Sequence, residues 1–247
     1  MKTALCILLL LPQFVFAQRD SLKAISGPLL NLSSGVGFSP AYVASKNSQW
    51  VNYLKPGYHG TVSTDVPLFH SFWGIKASFE YMDNAFDLNK YVAYQNSQAS
   101  YRTITPISYG AFNQWFLMLG AYASVSCHKM CFKLWAQGGL QYLALPNYEE
   151  NVVFQTNESP YNYTVINNHA LAAAFGAGIN ASYQLSKRIA ATAGIALLYT
   201  NFQNTGTDYQ DSYTPAIKFH LSNGFAEKGS MAVCNADLGI SYYLGKK

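Results

Sequence analysis

Residues 111–126 read AFNQWFLMLGAYASVS, and their side chains alternate between two chemical characters with a period of two. This period is typical of a β-strand, in which successive side chains point to opposite faces. One predicted face carries Trp115, Leu117, Leu119, Ala121, Ala123 and Val125. The opposite face carries Gln114, Met118, Gly120, Ser124 and Ser126. The first face suits contact with lipid, and the second suits a packed polar interior.

Two other segments repeat this pattern. In 132–146 the apolar face holds Phe132, Leu134, Ala136, Leu140 and Tyr142, opposite Lys133, Gln137 and Gln141. In 231–244 it holds Ala236, Leu238, Ile240, Tyr242 and Leu244, opposite Asn235, Asp237 and Ser241. A soluble β-sandwich would show the same alternation, so the connections between the strands have to decide between the two folds.

Period-two alternation marks eight segments: 30–43, 58–67, 73–84, 111–126, 132–146, 168–185, 189–202 and 231–244. Short turns near 68–72, 127–131 and 186–188 alternate with long polar loops near 45–57, 85–110, 147–167 and 203–230. Short periplasmic turns and long extracellular loops are typical of outer-membrane barrels. The alternation predicts that both termini lie on the periplasmic side.

The composition agrees with a membrane barrel. Only 11% of the 247 residues are charged, whereas a soluble domain carries about a quarter, and Tyr (19) and Phe (15) are abundant. No stretch after Gln18 is apolar for long enough to span a membrane as a helix, so a membrane-embedded chain would have to be a barrel. There is no basic run, and no nucleic-acid partner is predicted.

The N-terminus predicts export. Lys2 precedes an apolar run at 4–11, and Val15-Phe16-Ala17 offers a cleavage site before Gln18. A transmembrane anchor would need about 20 apolar residues, and Pro12 and Gln13 interrupt this run. We therefore expect a signal peptide at 1–17, a barrel domain at 18–247, and a location in the bacterial outer membrane.

The last strand adds a resemblance. Asp237, Gly239, Tyr242 and Leu244 follow a spacing that resembles the C-terminal assembly signal of bacterial outer-membrane barrels, although the chain ends in Gly245-Lys246-Lys247. The layout of the whole mature chain resembles small eight-stranded outer-membrane barrels. This implies an all-β, antiparallel transmembrane barrel, with outer-membrane lipid, lipopolysaccharide and the barrel assembly machinery as partners.

An eight-stranded barrel is just wide enough to be filled by its own side chains, so a general aqueous pore is not expected. The charged residues of the inward faces are predicted to form a paired interior network: Asp65, Lys76, Glu80, Lys133 and Asp237. Aromatic residues near the strand ends are predicted to form two interfacial girdles: Tyr58, Trp73, Tyr81, Phe112, Trp115, Tyr142, Tyr183, Tyr199, Tyr242 and Tyr243.

The cysteines leave two interpretations open. Cys127 and Cys131 flank a three-residue turn, a spacing compatible with a local disulfide that leaves Cys234 unpaired. Cys127, His128 and Cys131 also have the chemistry of metal ligands, but three ligands in five residues without a fourth nearby are a weak signal. No metal and no cofactor is predicted.

One motif carries potential chemistry. His220-Leu221-Ser222-Asn223 resembles the His-x-Ser-Asn motif of outer-membrane lipid A deacylases, which are themselves small barrels. The resemblance implies that His220 is the base, Ser222 the nucleophile and Asn223 an oxyanion donor, with Glu227 as the nearby acid. Here 189–202 already fills the seventh strand, so the motif falls in the following loop.

Three functional hypotheses follow. The first is a non-enzymatic barrel that supports envelope integrity or binds an extracellular ligand or partner protein through its loops, where tyrosines lie among small polar residues. The second is a lipid A deacylase. The third is a barrel subunit of a secretion or uptake assembly.

Overall fold

The computed structural model describes residues 27–38, 54–68, 72–98, 102–144, 147–154, 161–203, 206–211, 218–220 and 228–244. Its helix and strands are β1 (Leu29–Phe38), β2 (Gly57–Pro67), β3 (Trp73–Asn84), α1 (Leu88–Gln98), β4 (Arg102–Tyr109), β5 (Phe112–Cys127), β6 (Met130–Ala144), β7 (Tyr148–Phe154), β8 (Tyr161–Gln184), β9 (Ile189–Gln203), β10 (Gly206–Asp211), β11 (Lys218–His220) and β12 (Lys228–Tyr243). Within these ranges, no helix is both long and apolar enough to cross a membrane. The predicted signal peptide, 1–17, lies outside the described residues.

Eight of the strands close into an antiparallel barrel in the order β1-β2-β3-β5-β6-β8-β9-β12, and β12 pairs back onto β1. These are the eight strands that the alternation predicts, and the predicted fold class is confirmed. The largest boundary error concerns β8, which begins at Tyr161 and not at 168. Short connections join β2 to β3, β5 to β6 and β8 to β9, and we call this end of the barrel the turn end. The opposite end is the loop end.

The stagger of the strands follows from their register. On one side, Asn31 of β1 pairs with Ser241 of β12. In the other direction around the barrel, the partners of Asn31 on successive strands lead to Met231 of β12, which is ten residues from Ser241. The intermediate partners are Ser63, Ser78, Met118, Gly139, Ala174 and Thr200. Eight strands with a shear of ten residues tilt by about 40° from the barrel axis.

The polarity of the barrel is reversed relative to a soluble protein. Leu117, Ile195 and Leu238 are about two-thirds exposed on the outer surface (65%, 66% and 70%). Gln114 and Gln141 are fully buried inside. Soluble proteins place these residue types the other way round. The outer surface therefore suits lipid, as the two faces of 111–126 predict.

Apolar side chains fill the two ends of the interior. The layer at the loop end includes Met82, Phe112, Phe116, Leu143 and Met231, all at most 1% exposed. Leu29, Ala190 and Tyr243 pack together at the turn end. Phe112 and Tyr243 therefore point inward, and their assignment to the aromatic girdles is wrong. The error arises because both lie at strand ends, where sequence position alone does not reveal the face.

Beyond the loop end the wall continues into a second sheet. The first residues of β8 pair with β7 on one side and with β10 on the other, while β4 pairs with β7 and β11 with β10. We call β4, β7, the first part of β8, β10 and β11 the outer sheet. The loops predicted at 85–110, 147–167 and 203–230 therefore contain regular structure, including helix α1.

Candidate functional site

A polar cavity lies inside the barrel between its two apolar end layers. Its volume is about 40 Å³, which is room for a few water molecules. All five charged residues predicted for the interior line this cavity: Asp65, Lys76, Glu80, Lys133 and Asp237. The register explains this placement, because each side chain occupies an inward position of its strand.

Asp65 lies at the centre of the first ionic group. The Nζ of Lys76 is 3.3 Å from its Oδ1, and the Nζ of Lys133 is 2.5 Å from its Oδ2. The side-chain amide of Asn31 also donates to Oδ2, at 3.2 Å. A buried charge is tolerated only when it is paired and hydrogen-bonded, and this carboxylate meets both conditions.

Glu80 and Asp237 belong to a second group. The side-chain amide of Asn235 donates to Glu80 Oε1, and His59 Nδ1 lies 3.6 Å from the same oxygen. Ser33 donates to Asp237 Oδ2 at 3.2 Å. The sequence analysis did not identify His59 as an interior residue. Its spacing of six residues from Asp65 would have placed it on the same inward face.

The lumen therefore holds a hydrogen-bonded ionic network between two apolar layers. Its charged groups are bound by neighbouring side chains, and apolar layers lie above and below them. Within the ranges described, no three His, Cys, Asp or Glu residues are grouped to hold a metal ion.

The outer sheet has a protected edge at β4. The side chain of Asn96, on α1, accepts a hydrogen bond from Ile104 N at 2.7 Å and donates one to Ile104 O at 3.2 Å. The amide thus takes the place of a neighbouring strand at Ile104. Because unpaired strand edges are templates for aggregation, the helix shields this edge.

An aromatic cluster joins α1 to the outer sheet. Phe86 stacks on Tyr109 at 5.7 Å, and Tyr91 meets Tyr109 edge-on at 6.2 Å. The Tyr109 hydroxyl donates to Glu150 of β7, which is only 4% exposed. Burial and this neighbouring carboxylate raise the pKa of Tyr109 well above its usual value, so the phenol stays protonated. The cluster makes the loop end a packed unit.

The predicted disulfide is not formed, because Cys127 and Cys131 are both free thiols. Cys127 pairs with Met130, and Cys131 pairs with Ser126. The two cysteines therefore occupy adjacent rungs of the hairpin, on which side chains leave from opposite faces. Disulfide geometry requires Cβ vectors that point toward each other.

His220, the first residue of the motif, lies in the outer sheet, away from the barrel wall. His220 is the last residue of β11, and its backbone pairs directly opposite Asp208 of β10. Ser222, Asn223 and Glu227 lie outside the described residues. The register thus supplies an acidic residue opposite His220 that sequence spacing did not suggest.

Four aromatic rings form a continuous ladder on the outer surface near the loop end. Tyr81 packs against Trp115 at 5.4 Å, Trp115 against Tyr142 at 5.5 Å, and Tyr142 stacks on His169 at 5.9 Å. The four residues come from four neighbouring wall strands. Tyr81, Trp115 and Tyr142 belong to the predicted girdle, and His169 extends it. Aromatic belts of this kind flank the apolar band of membrane barrels. The chain is a transmembrane β-barrel.

Comparison with solved structures finds outer-membrane proteins with a similar fold. The barrel resembles Neisserial surface protein A (TM-score 0.46, 10% identity, covering 89% of this chain and 98% of that one). It also resembles a major outer membrane protein of Thermus thermophilus (0.49, 12%, 87% and 98%) and the attachment invasion locus protein Ail of Yersinia pestis (0.40, 10%, 88% and 99%).

Sequence comparison adds no relative, since no family model and no curated protein matches the chain. At these identities the structural likeness concerns the fold alone. Two regions of the chain itself bear on its function: the filled lumen and the packed loop end.

Proposed function

We propose that this barrel is exported to the bacterial outer membrane by its N-terminal signal peptide and binds a partner through its loop end without conducting solutes. The observation that carries this proposal is the outer sheet, which continues the barrel wall through β8. Ordering residues costs conformational free energy, and loops that only connect strands do not need to be ordered. An ordered surface held on a rigid scaffold suits recognition.

The surface of the outer sheet supports a binding role. Ile107 of β4 and Val153 of β7 are exposed (51% and 38%), and Tyr94 of α1 is exposed as well. Exposed apolar and aromatic groups on a packed framework are typical of adaptable contact surfaces. An extracellular ligand or partner protein is the expected occupant.

The test compares bacteria that produce the wild-type barrel, an Ile107→Lys/Val153→Lys variant, or neither. Adherence to protein-coated and glycan-coated surfaces and cell-to-cell aggregation are measured, with gel mobility before and after boiling as the control for folding. Adherence by the wild type alone supports the proposal. Equal adherence by all three strains contradicts it, and stepwise conductance of the wild type in planar bilayers contradicts the sealed lumen.

A second candidate function is lipid A deacylation. It is favoured by the backbone pairing of Asp208 with His220, which adds an acid to the His220 and Ser222 pair implied by the motif. In this scheme His220 removes the Ser222 proton, and Ser222 attacks the acyl carbonyl, with Asn223 near the developing oxyanion. The ester C–O bond then breaks, and the protonated His220 gives its proton to the departing lipid A hydroxyl. Water hydrolyses the acyl-serine, which releases the fatty acid and restores Ser222. Asp208 or Glu227 would orient the imidazole.

Mass spectra of lipid A from producing cells test this alternative. Loss of one acyl chain with the wild type, but not with Ser222→Ala, supports a deacylase. Comparing Asp208→Asn with Glu227→Gln then identifies the acid. Unchanged lipid A in cells that produce the folded wild type excludes the enzyme and leaves the binding proposal standing.

A further inference from the structure

The turn end of the barrel carries an exposed basic cluster. Lys129, in the turn between β5 and β6, and Lys187 and Arg188, in the turn between β8 and β9, are all exposed, as is His128. The two turns lie side by side, because Gln184 N donates to Lys129 O at 2.8 Å. Three permanent cations from two hairpins therefore share one part of the rim.

No described carboxylate lies at this end to neutralise the cluster. The described acidic residues lie in the lumen or at the loop end: Asp65, Glu80, Asp83, Asp87, Glu149, Glu150, Asp208, Asp211 and Asp237. The segment that joins β2 to β3, 68–72, contains neither Lys nor Arg. Among the described residues, the exposed positive charge of the turn end thus lies in one sector of the rim, between the β5–β6 turn and the end of β12.

The cluster borders the lipid-facing surface directly. Arg188 Nη1 donates to the hydroxyl of Tyr242 at 3.2 Å, and Tyr242 is exposed on the outer wall. Tyr183, Leu185 and Ile189 are exposed beside the same turn. Arg188 is therefore held where the membrane interface meets the barrel, with other guanidinium N–H groups free to face a headgroup.

The C-terminal strand ends at the same place. Tyr243 N donates to Arg188 O at 2.9 Å. Gly245, Lys246 and Lys247 follow in the sequence, outside the described residues.

We propose that this basic sector binds the headgroup of an anionic phospholipid, such as phosphatidylglycerol, in the membrane leaflet at the turn end. The Arg188 guanidinium and the Lys129 and Lys187 ammonium groups contact the phosphate, and Tyr183, Leu185 and Tyr242 contact the glycerol and the upper acyl chains. Basic side chains beside an apolar membrane surface recognise anionic headgroups in this way. This site is independent of any partner at the loop end.

The test uses native mass spectrometry of the refolded full-length barrel in micelles doped with phosphatidylglycerol or phosphatidylcholine. The variant is Lys187→Gln/Arg188→Gln, and the matched control is Lys55→Gln/Lys90→Gln at the loop end. Each basic residue near an anionic surface contributes about five-fold in affinity, so the turn-end variant should bind phosphatidylglycerol about 25-fold more weakly. The control should bind like the wild type, and both should show the boiled and unboiled gel mobilities of a folded barrel.

Preferential phosphatidylglycerol adducts that are lost only in the turn-end variant and weaken with added salt support the site. Equal adducts with both lipids on the wild type overturn it. Equal phosphatidylglycerol binding by the wild type and the turn-end variant overturns it as well. Full competition by soluble glycerol 1-phosphate at the lipid's concentration would show a free-phosphate site and overturn the lipid assignment.

Discussion

Lys133 Nζ lies 2.5 Å from Asp65 Oδ2, although their strands, β6 and β2, are separated in the wall by β3 and β5. The pair therefore crosses the lumen instead of following a strand pairing. Because Lys76 of β3 contacts the other carboxylate oxygen, one buried side chain joins three strands. The sequence indicated that these residues face inward, but the convergence of both lysines on Asp65 depends on the curvature of the closed wall.

Asp65→Asn should lower the free energy of unfolding by about 3 kcal/mol, because it leaves two ammonium groups in the lumen without their shared anion. Urea unfolding in lipid vesicles, followed by tryptophan fluorescence, measures the change. Asp83→Asn is the matched control, since it removes a carboxylate near the loop-end rim. Similar losses in the two variants would contradict a special role for the Asp65 cluster.

Phe116→Ala should destabilise the barrel far more than Leu117→Ala. Phe116 is 1% exposed in the apolar layer at the loop end, whereas Leu117 is 65% exposed on the outer wall. Removing the buried ring leaves a cavity and costs about 3–5 kcal/mol, while truncation on the lipid side leaves none. The same urea titration checks the order, and a larger loss for Leu117→Ala would refute the assignment of the two faces.

Two glycines should respond oppositely to alanine. A Cβ at Gly120 would lie 2.0 Å from Ala136 O on the neighbouring strand, so Gly120→Ala has to separate two backbones and should cost about 1–3 kcal/mol. Nothing lies within 4 Å of a Cβ at Gly60, so Gly60→Ala should be neutral or stabilising. The melting temperature of the unboiled gel band separates the two. An unchanged melting temperature for Gly120→Ala would mean that β5 and β6 lie farther apart at this position than the 2.0 Å contact requires.

Cys127 should report the orientation of the barrel. It is an exposed free thiol at the turn end, and Cys131→Ala/Cys234→Ala leaves it as the single thiol of the chain after 1–17. A membrane-impermeant maleimide should label it only after the outer membrane is permeabilised. Lys90→Cys at the loop end, made with all three native cysteines replaced by alanine, should be labelled on intact cells. The reverse pattern would place the turn end outside the cell.

Asn96→Ala should loosen the loop end without weakening the barrel wall. The variant loses both hydrogen bonds to the Ile104 backbone, and an unpaired backbone group away from water costs about 1–3 kcal/mol. Limited trypsin digestion should cut faster at Lys90, with the boiling shift unchanged. Ser97→Ala is the control, because Ser97 donates only to Tyr94 O within its own helix. Equal cleavage rates in both variants would show that Asn96 does not hold the helix on the sheet.

The barrel could be predicted because the alternation of side chains that indicates each strand is a local property of the sequence. Trp115 and Gln114 are assigned to opposite faces by the period of two alone, and the alternation of short and long links then suggests closure. The outer sheet could not be predicted, because the segment containing Asp208 forms a strand by pairing with Ile166, which is far away in sequence, and with His220. Cys127 and Cys131 show the same limit, since their spacing suggests a bond that the hairpin register prevents.

The ten-residue shear also fixes how thick a membrane the barrel fits. Trp73 and Tyr81 are eight residues apart on β3. Trp73 is exposed at the turn end, where one aromatic belt is predicted, and Tyr81 belongs to the aromatic ladder near the loop end. Their separation is roughly 26 Å along the strand, and a tilt of about 40° reduces it to roughly 20 Å across the bilayer. The bacterial outer membrane is thinner than average, so hydrophobic mismatch there is small. In a bilayer with a hydrocarbon core of about 30 Å, the lipid around the barrel would have to thin to meet the two belts.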